Sequence, residues 1–287
     1  MNITIDYPTD WTDYELMDSG DGEKLERFGT YTIARPDPRA LWQKSNLALW
    51  SEADAIFTRT DPKTGTWNIK KSPPNPWLLS YKSLTFTLRP TEFKHVGIFP
   101  EQAANWNWLT SVIKARPLNI LNLFAYTGGA TMAALSSGAK VTHVDAAKST
   151  IAWAKENLEA SKLTEKPIRW IEDDAYKFVN REAKRGNTYD GIILDPPRFG
   201  RGSKGEVWKL EENLPVLLQA CKQILSPTAS FVLINAYTAD ISPIVLDRLM
   251  QDLTRDLGGT IQTGELTLKE SASGNLLPNG IFCRWSK

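Results

Sequence analysis

The chain has 287 residues, of which 41% are hydrophobic, enough for one large core and a smaller second unit. Its formal net charge of +1 excludes the strong positive field of a globally basic nucleic-acid-binding protein. The two cysteines, Cys221 and Cys283, lie far apart without metal-ligand spacing, so we predict no metal site. The sequence shows neither a signal-peptide pattern nor an apolar run of about 18 residues, so we expect a cytoplasmic protein without membrane spans.

Residues 1–93 are expected to form a small β-rich domain, with one helix around Leu41–Glu52 and a role in substrate recognition. Residues 59–94 mix basic and aromatic side chains, and Asp61–Gly65 has the composition of a hairpin turn. Such a mixture fits short strands with one buried and one wet face, and it would also suit phosphate contacts and base stacking. Both interpretations stay open at this point.

The segment Phe93–Gln102 connects this unit to the second predicted domain, residues 94–287. His95 lies in the connector, and a single histidine without a partner usually has a structural role. Residues Ala103–Ala115 carry Trp106, Leu109, Val112 and Ile113 at helical spacing, which predicts an amphipathic helix that covers a sheet.

The stretch Ile120–Ala130 has the pattern of a buried strand followed by a tight turn and a helix. An apolar run ends at Tyr126-Thr127-Gly128-Gly129, and the helix-compatible segment Ala130–Ser137 follows at once. Paired glycines allow a sharp turn and close approach of a ligand, and the N–H groups at a helix start favour electron-rich groups. The pattern predicts a ligand-binding turn.

The next two units end their strands in carboxylates. Lys140–Asp145 is a short predicted strand whose final acid has the position of a ribose-binding residue in nucleoside-binding α/β folds. Ile168–Glu172 is strand-like, and Asp173-Asp174-Ala175 opens a helix at Tyr176–Lys184. Asp174 is either a helix N-cap or a cofactor contact, and the sequence leaves this choice open.

The fourth predicted strand, Tyr189–Leu194, ends in Asp195-Pro196-Pro197-Arg198-Phe199. Residues 198–205 are basic and glycine-rich, which fits either a substrate-facing loop or an ordinary surface loop. Further alternating elements are predicted, namely helix Leu210–Leu225, strand Ser230–Asn235, helix Pro243–Leu257 and the strand pair Thr260–Leu268 and Ile281–Trp285. This order predicts an α/β protein with a doubly wound, mostly parallel sheet and an antiparallel last strand.

The ordered motifs Phe124–Gly129, Asp145, Asp174-Ala175 and Asp195–Phe199 resemble those of class I S-adenosylmethionine (SAM)-dependent methyltransferases, and most closely those of large-subunit ribosomal RNA methyltransferases. The resemblance covers roughly residues 94–287 and implies a seven-stranded Rossmann-like sheet, SAM as the cofactor and an RNA substrate. It implies catalytic roles for Asp195, Pro196 and Phe199. The residues that it implies for cofactor binding are Gln102, Phe124, Ala125, Tyr126, Thr127, Gly128, Gly129, Asp145, Ala146, Asp174, Ala175 and Asp195.

One departure from the related ribosomal enzymes concerns the methylated atom. Methylation at cytosine C5 requires a thiolate that adds to the ring, and the 5-methylcytosine enzymes carry cysteines after the fifth strand. Here that segment reads Asn235-Ala236-Tyr237-Thr238, so cytosine C5 is disfavoured. A small-molecule or protein substrate, a catalytically silent binding module, and a monomer or a homodimer all remain open, as does any chemical role of Cys283 or His95.

Overall fold

The structure is a computed structural model, and it describes residues 2–61, 64–114, 116–201, 207–237 and 240–287. Up to residue 102 the elements are β1 (Ile3–Asp6), β2 (Tyr14–Gly20), β3 (Glu23–Phe28), β4 (Tyr31–Pro36), α1 (Leu47–Ser51), β5 (Ala55–Arg59), β6 (Gly65–Ile69), β7 (Leu78–Tyr81), β8 (Leu84–Thr87) and a 3₁₀ turn (Pro100–Gln102). Beyond it they are α2 (Ala103–Ile113), β9 (Asn119–Leu123), α3 (Gly129–Ser136), β10 (Lys140–Asp145), α4 (Lys148–Ala160), β11 (Ile168–Glu172), α5 (Ala175–Lys184), β12 (Gly191–Leu194), β13 (Phe199–Arg201), β14 (Val207–Lys209), α6 (Leu210–Ile224), β15 (Phe231–Ala236), α7 (Pro243–Thr254), β16 (Thr260–Lys269) and β17 (Leu276–Ser286).

The chain divides into two compact units, and the division differs from the expected boundary at residue 93. The larger unit comprises residues 1–6, 104–266 and 280–287, and the smaller one comprises residues 7–103 and 267–279. The first six residues belong to the larger unit because β1 pairs with β16 in parallel. Strands β16 and β17 each continue from one unit into the other, so residues 267–279 complete the smaller unit.

The larger unit contains an eight-stranded sheet with the order β1-β16-β17-β15-β12-β9-β10-β11. The strands β15, β12, β9, β10 and β11 run parallel, and β17 lies antiparallel to β15. The predicted doubly wound sheet with an antiparallel last strand is therefore confirmed. The sheet has one strand more than the predicted seven, because β1 pairs with β16 at its edge.

Alternate residues of the central strands face opposite sides of this sheet, as the pleat requires. Leu121 and Leu123 of β9 belong to the core that the sheet shares with helices α5, α6 and α7. Asn122 faces the other side, where its side chain donates to Thr131 of α3. Trp108 of α2 packs edge-on against Phe231 of β15 at 5.8 Å between ring centroids. Buried strands with helices on both faces explain why these segments read as nearly continuous apolar runs.

The smaller unit is β-rich, as expected. It contains a five-stranded sheet of the order β2-β3-β4-β5-β6 and the pair β7-β8. Strands β5 and β6 form the predicted antiparallel hairpin with Arg59 opposite Gly65, although residues 62–63 of its turn lie outside the described part. The helix expected around Leu41–Glu52 is shorter than predicted and comprises only α1, Leu47–Ser51. It begins after Asn46, whose side chain caps the N-terminus by accepting from the Ala48 N–H.

The segment 198–205 is not simply a loop. Residues Phe199–Arg201 and Val207–Lys209 pair as the antiparallel strands β13 and β14, while residues 202–206 lie outside the described part. Only β13 lies within this segment, and β14 follows it; each strand has three residues, too few to produce a recognisable alternation.

Candidate active site

The four sequence motifs of the larger unit meet at one edge of its sheet. In the parallel registers, Leu123 lies opposite both Val144 and Leu194, and Asp145 lies opposite Glu172. The carboxyl ends of β9, β10, β11 and β12 are thus level. Ligands of doubly wound sheets bind outside such carboxyl ends.

The turn after β9 has an unusual backbone. Phe124, Tyr126 and Gly128 have φ values of +55°, +49° and +85°, and Gly128 is the N-cap of α3. Left-handed conformations cost little at glycine and more at residues with side chains, so the sequence places strain at Phe124 and Tyr126. A Cβ atom added at Gly129 would lie 2.5 Å from Cζ2 of Trp106. Helix α2 therefore packs so closely on this turn that only glycine fits there.

Three hydrogen bonds from two neighbouring elements, β10 and α4, fix this turn. The Tyr126 N–H donates to Oδ2 of Asp145 at 2.8 Å, and the Ala125 N–H donates to the Val144 carbonyl at 3.0 Å. From α4, Nδ2 of the buried Asn157 donates to the Thr127 carbonyl at 2.8 Å. These hydrogen bonds fix the backbone of the turn.

Asp145 is half-buried and accepts more than the bond from the turn. Its Oδ1 atom accepts from the Ala147 N–H at 2.9 Å and from the Thr150 hydroxyl at 2.8 Å. Both carboxylate oxygens of Asp145 therefore have donors within the protein. The neighbouring Ala146 is half-buried and lies in the same bend between β10 and α4.

Asp174 is the N-cap of α5, and its Oδ1 atom accepts from the Lys177 N–H at 2.9 Å. The structure therefore shows the capping role, which is the first of the two alternatives that the sequence left open. Its half-buried side chain still lies at the carboxyl end of β11, and Ala175 is buried as the first residue of the helix.

The Asp195-Pro196-Pro197 tip follows β12 directly and runs into the hairpin β13–β14. Nε1 of Trp208 in β14 donates to the Pro197 carbonyl at 2.7 Å, and the Leu210 N–H donates to the Arg198 carbonyl at 2.9 Å. Pro196 is buried, whereas the side chain of Phe199, three residues later, is 50% exposed. The tip thus combines a rigid backbone with an accessible aromatic ring.

Gln102 and His95 belong to the smaller unit. Gln102 is buried at the end of the 3₁₀ turn, so its predicted contact with the cofactor stays a prediction. His95 packs against Phe99 at 5.1 Å between ring centroids. Burial, together with Arg35, lowers the pKa of His95 to about 3, so this imidazole is neutral at physiological pH.

Both cysteines are buried thiols in the core of the larger unit. Cys221 lies in α6 and Cys283 in β17, and burial raises the pKa of each to about 12. Neither side chain is a thiolate near neutral pH. Across the described ranges, no group of three or more His, Cys, Asp or Glu side chains could hold a metal ion. Among the described residues, no helix is both long and apolar enough to cross a membrane.

Sequence reasoning missed three kinds of residue at this edge. Trp208 donates to the Pro197 carbonyl of the tip, and Asn157 donates to the Thr127 carbonyl of the glycine turn. Each of them lies in a different element from the group that it contacts. A buried pair, Thr131 and His143, lies beneath the turn. The one available signal was the presence of polar residues within otherwise apolar segments, as at Asn122 and His143. Buried polar groups need partners, and the partner is not visible in a local pattern.

A level row of strand ends, with a strained glycine turn and a strand-terminal carboxylate, defines the class of nucleotide-dependent α/β enzymes to which class I SAM-dependent methyltransferases belong. Comparison with known proteins agrees with this class. A crystal structure of a SAM-dependent methyltransferase from Agrobacterium tumefaciens is 44% identical, with a TM-score of 0.94 over 99% of this chain and 93% of that chain.

The model of the family described as conserved hypothetical protein 95 matches residues 86–236, more than half of the chain. The chain belongs to this family and is a class I SAM-dependent methyltransferase. The ribosomal RNA large subunit methyltransferase I of Aeromonas salmonicida is 23% identical over 98% of this chain and 69% of its own length. The large subunit methyltransferase K/L of Pseudoalteromonas atlantica is 30% identical over 52% of this chain, which spans only 21% of that protein.

Proposed function

We propose that the protein transfers the methyl group of SAM to RNA, with ribosomal RNA as the favoured substrate. The observation that carries the proposal is the alignment of nearly the whole chain, 98% of it, with a ribosomal RNA large subunit methyltransferase. The level strand ends support this proposal. The proposed cofactor turn follows β9, and the Asp195-Pro196-Pro197 tip follows the adjacent strand β12, so cofactor and substrate would meet at the same edge of the sheet.

The cofactor is assigned to the glycine turn and the two neighbouring strand ends. The backbone of Phe124–Gly129 would accommodate the closely approaching part of SAM, because glycines at a strand-to-helix turn leave the backbone and the N–H groups of the helix start open to a ligand. Gly128 also serves internal packing, since a Cβ atom there would meet Met132 Cε at 3.1 Å and Ala154 Cβ at 3.3 Å. Asp145 would accept from the ribose hydroxyls, with Ala146 beside it, and Asp174 and Ala175 would lie at the base end. Gln102 is retained as a proposed contact to the methionine end.

The Asp195-Pro196-Pro197 tip is assigned to the substrate. The carbonyls of Pro197 and Arg198 accept from Trp208 and Leu210, which directs the proposed substrate contacts to the carbonyls of Asp195 and Pro196. These could accept from an exocyclic amino group, while the exposed ring of Phe199 stacks on a base. SAM supplies an already activated methyl group, so the task of these residues is mainly to align the two reactants. A target inside paired RNA would first have to leave the stack.

Cytosine C5 is disfavoured as the target atom. A C5 mechanism needs a thiolate nucleophile, and burial keeps the Cys221 and Cys283 thiols protonated, each with a pKa raised to about 12. Among the described residues there is no other cysteine. A base nitrogen or a ribose hydroxyl is therefore the proposed acceptor.

The deciding experiment incubates the protein with methyl-labelled SAM and separate RNA, protein and metabolite fractions from its own host. Label in RNA, abolished by Asp195→Ala in a folded variant, is the expected result. Label only in the protein or metabolite fraction would replace RNA with the alternative substrate class. Binding of the product S-adenosylhomocysteine without transfer to any fraction would favour a catalytically silent module.

A further inference from the structure

Three buried polar side chains form a chain of hydrogen bonds beneath the glycine turn. Nδ2 of Asn122 in β9 donates to Oγ1 of Thr131 in α3 at 2.9 Å, and that oxygen lies 3.0 Å from Nδ1 of His143 in β10. Thr131 and His143 are fully buried, and Asn122 is 2% exposed. A polar cluster in this position is costly unless it has a structural or functional purpose.

The contact between Thr131 and His143 allows either direction of donation, and that direction decides which ring nitrogen of His143 carries the proton. Thr131 accepts from Asn122, so its single hydroxyl proton is available for Nδ1 of His143. If Thr131 gives this proton to Nδ1, then Nδ1 accepts and the neutral ring carries its own proton on Nε2. Burial lowers the pKa of His143 to about 3, against a weaker opposing effect of the Tyr126 backbone, so the ring is neutral at pH 7.

The Nε2 atom of His143 is buried and makes no hydrogen bond of ordinary geometry among the described residues. The Tyr126 backbone raises the pKa of His143, which is the effect of a carbonyl near the ring. The ring also borders the same turn, because its Cε1 atom lies 3.5 Å from the position that a Cβ atom at Gly128 would take. Tyr126 is one of the strained residues of the turn, with φ of +49°, and its N–H already donates to Asp145. A buried donor without a partner carries a free-energy cost that a small shift of this carbonyl would remove.

We propose that His143 is a positioning residue of the cofactor turn, with Thr131 holding it as the Nε2–H tautomer so that it donates to the Tyr126 carbonyl when the cofactor is bound. Asp145 and His143 would then hold the two sides of one strained residue, its N–H and its carbonyl. The inference rests on the proposed assignment of the cofactor to Phe124–Gly129. It concerns residues that contact the turn and need not touch the cofactor.

Nitrogen NMR of the imidazoles tests the tautomer directly. The chain has two histidines, so a His95→Gln variant assigns both sets of signals. We expect His143 to carry its proton on Nε2 at pH 7 in the wild-type protein, and the Nε2–H signal to shift when S-adenosylhomocysteine is added. A proton on Nδ1 would overturn the inference regardless of any binding result.

Calorimetry with S-adenosylhomocysteine tests the consequence for the turn. Thr131→Val removes the hydroxyl at nearly constant shape, and we expect it to weaken binding by about five- to tenfold, the effect of one hydrogen bond. Thr131→Ser is the matched control, which keeps the hydroxyl and should bind within about twofold of the wild type. His143→Gln should retain more affinity than His143→Leu, because its amide can replace the Nε2–H donor.

These measurements distinguish the positioning role of His143 from the assignment of the cofactor to the turn. If folded Thr131→Val and His143→Leu bind like the wild type, the positioning role is wrong while the cofactor assignment stands. If the wild-type protein binds no S-adenosylhomocysteine, the proposed function and this inference both fall. A loss of affinity that Thr131→Ser shares would also overturn the inference, because it would show that packing, rather than the hydroxyl, is responsible.

Discussion

Trp208 joins the two turns of the candidate active site. Its Nε1 atom donates to the Pro197 carbonyl at 2.7 Å, and its ring lies 4.8 Å from that of Phe124, measured between centroids. Phe124 begins the glycine turn and Pro197 belongs to the Asp195-Pro196-Pro197 tip. One side chain thus relates the position of the proposed cofactor turn to that of the proposed substrate tip, although it lies 84 residues from the first and 11 from the second along the chain.

Trp208→Phe should reduce methyl transfer with little change in cofactor affinity. Phenylalanine retains an aromatic ring for Phe124 but cannot donate to Pro197. The loss of one hydrogen bond is worth about 0.5–1.5 kcal/mol, or roughly two- to tenfold in rate if the tip moves away from the aligned geometry. Transfer from labelled SAM and calorimetry with S-adenosylhomocysteine measure the two quantities separately.

Val207→Thr is the control for this substitution, because Val207 precedes Trp208 in the same strand and is 52% exposed. It should leave both rate and affinity near the wild-type values. A Trp208→Phe protein with unchanged transfer would show that the bond to Pro197 does not align the tip.

Gly128→Ala should destabilise the protein more than Gly186→Ala. Both glycines have positive φ values, +85° and +71°, so both substitutions incur the left-handed penalty of about 1–2 kcal/mol. A Cβ atom at Gly128 also meets Met132 and Ala154, whereas a Cβ atom at Gly186 has no neighbour within 4 Å. Overpacking adds about 1–3 kcal/mol at Gly128 alone.

Urea unfolding of both variants measures this difference, and S-adenosylhomocysteine affinity should fall only for the Gly128 variant. Gly128→Val should weaken binding further, since a β-branched side chain fits positive φ worse. If a folded Gly128→Val protein binds the ligand normally, the glycine matters for packing alone and the turn is not the cofactor site.

Much of the fold could be predicted because its signals are local. The strands β9, β10 and β12 are largely buried on both faces. Strand β10 ends in Asp145, β12 leads directly into Asp195-Pro196, and β9 leads within five residues to Gly128-Gly129. Parallel strands place such ends together, so the candidate site followed from the order of the elements. Strand β10 has the predicted bounds, and β12 begins two residues later than predicted.

The rest could not be predicted because it depends on contacts between distant residues. Strand β1 pairs with β16, and Ile3 lies opposite Thr263, a relationship that no local pattern of four residues reveals. The bond from Trp208 to Pro197 likewise required β13 and β14 to pair. The polar pair Thr131 and His143 gave no recognisable motif, since each sits in a different element and their side chains meet only in the folded sheet.

Asp145→Ala should weaken cofactor binding by about 1.5–3 kcal/mol, the range for a hydrogen bond to a charged group. The structure adds that this substitution also removes an acceptor from the Tyr126 N–H, so stability should fall as well. Thr150→Val separates the two effects, because it removes a donor to Oδ1 of Asp145 while keeping the carboxylate. Calorimetry should show a large loss for Asp145→Ala and a change within about twofold for Thr150→Val. Unchanged affinity in a folded Asp145→Ala protein would remove the ribose assignment.

Methyl transfer should persist in the double variant Cys221→Ala, Cys283→Ala. Burial raises the pKa of each thiol to about 12, so both stay protonated, and therefore unreactive, until the pH approaches that value. Native protein at pH 8 should resist iodoacetamide, whereas unfolded protein should be modified at two sites, as mass spectrometry would show. Loss of transfer in a folded double variant, with cytosine C5 as the labelled atom of the wild-type product, would reverse the exclusion of C5 chemistry.

RNA binding should depend on salt through the basic residues of segments 59–94 and 198–205, which we predict to contact RNA. Lys70 and Lys71 are exposed. The Nζ atom of Lys71 lies 4.0 Å from Oδ1 of Asp54, so this carboxylate compensates the charge of Lys71 only weakly. Arg198 is paired with Asp240, so part of its charge is already neutralised within the protein. The contribution of Arg198 to phosphate binding should therefore be smaller than that of the two lysines.

Replacing Lys70, Lys71, Arg198 and Arg201 by glutamine should flatten the dependence of log affinity on log salt. Each phosphate contact contributes a slope of about −0.7 for single strands, so four lost contacts would change it by at most about 2.8. Asp240→Asn is the opposing control, because it removes one of the two carboxylates beside Arg198 and should strengthen binding at low salt, although Glu211 Oε1 still lies 3.9 Å from Arg198 Nε. Mobility shifts with host RNA across a salt series measure the slope, and calorimetry with S-adenosylhomocysteine confirms that the cofactor site is intact. If the wild-type protein shows no salt-sensitive binding to any host RNA, a small-molecule or protein substrate is favoured instead. Binding to phosphates releases counterions, so the affinity of such a complex must fall as the salt concentration rises.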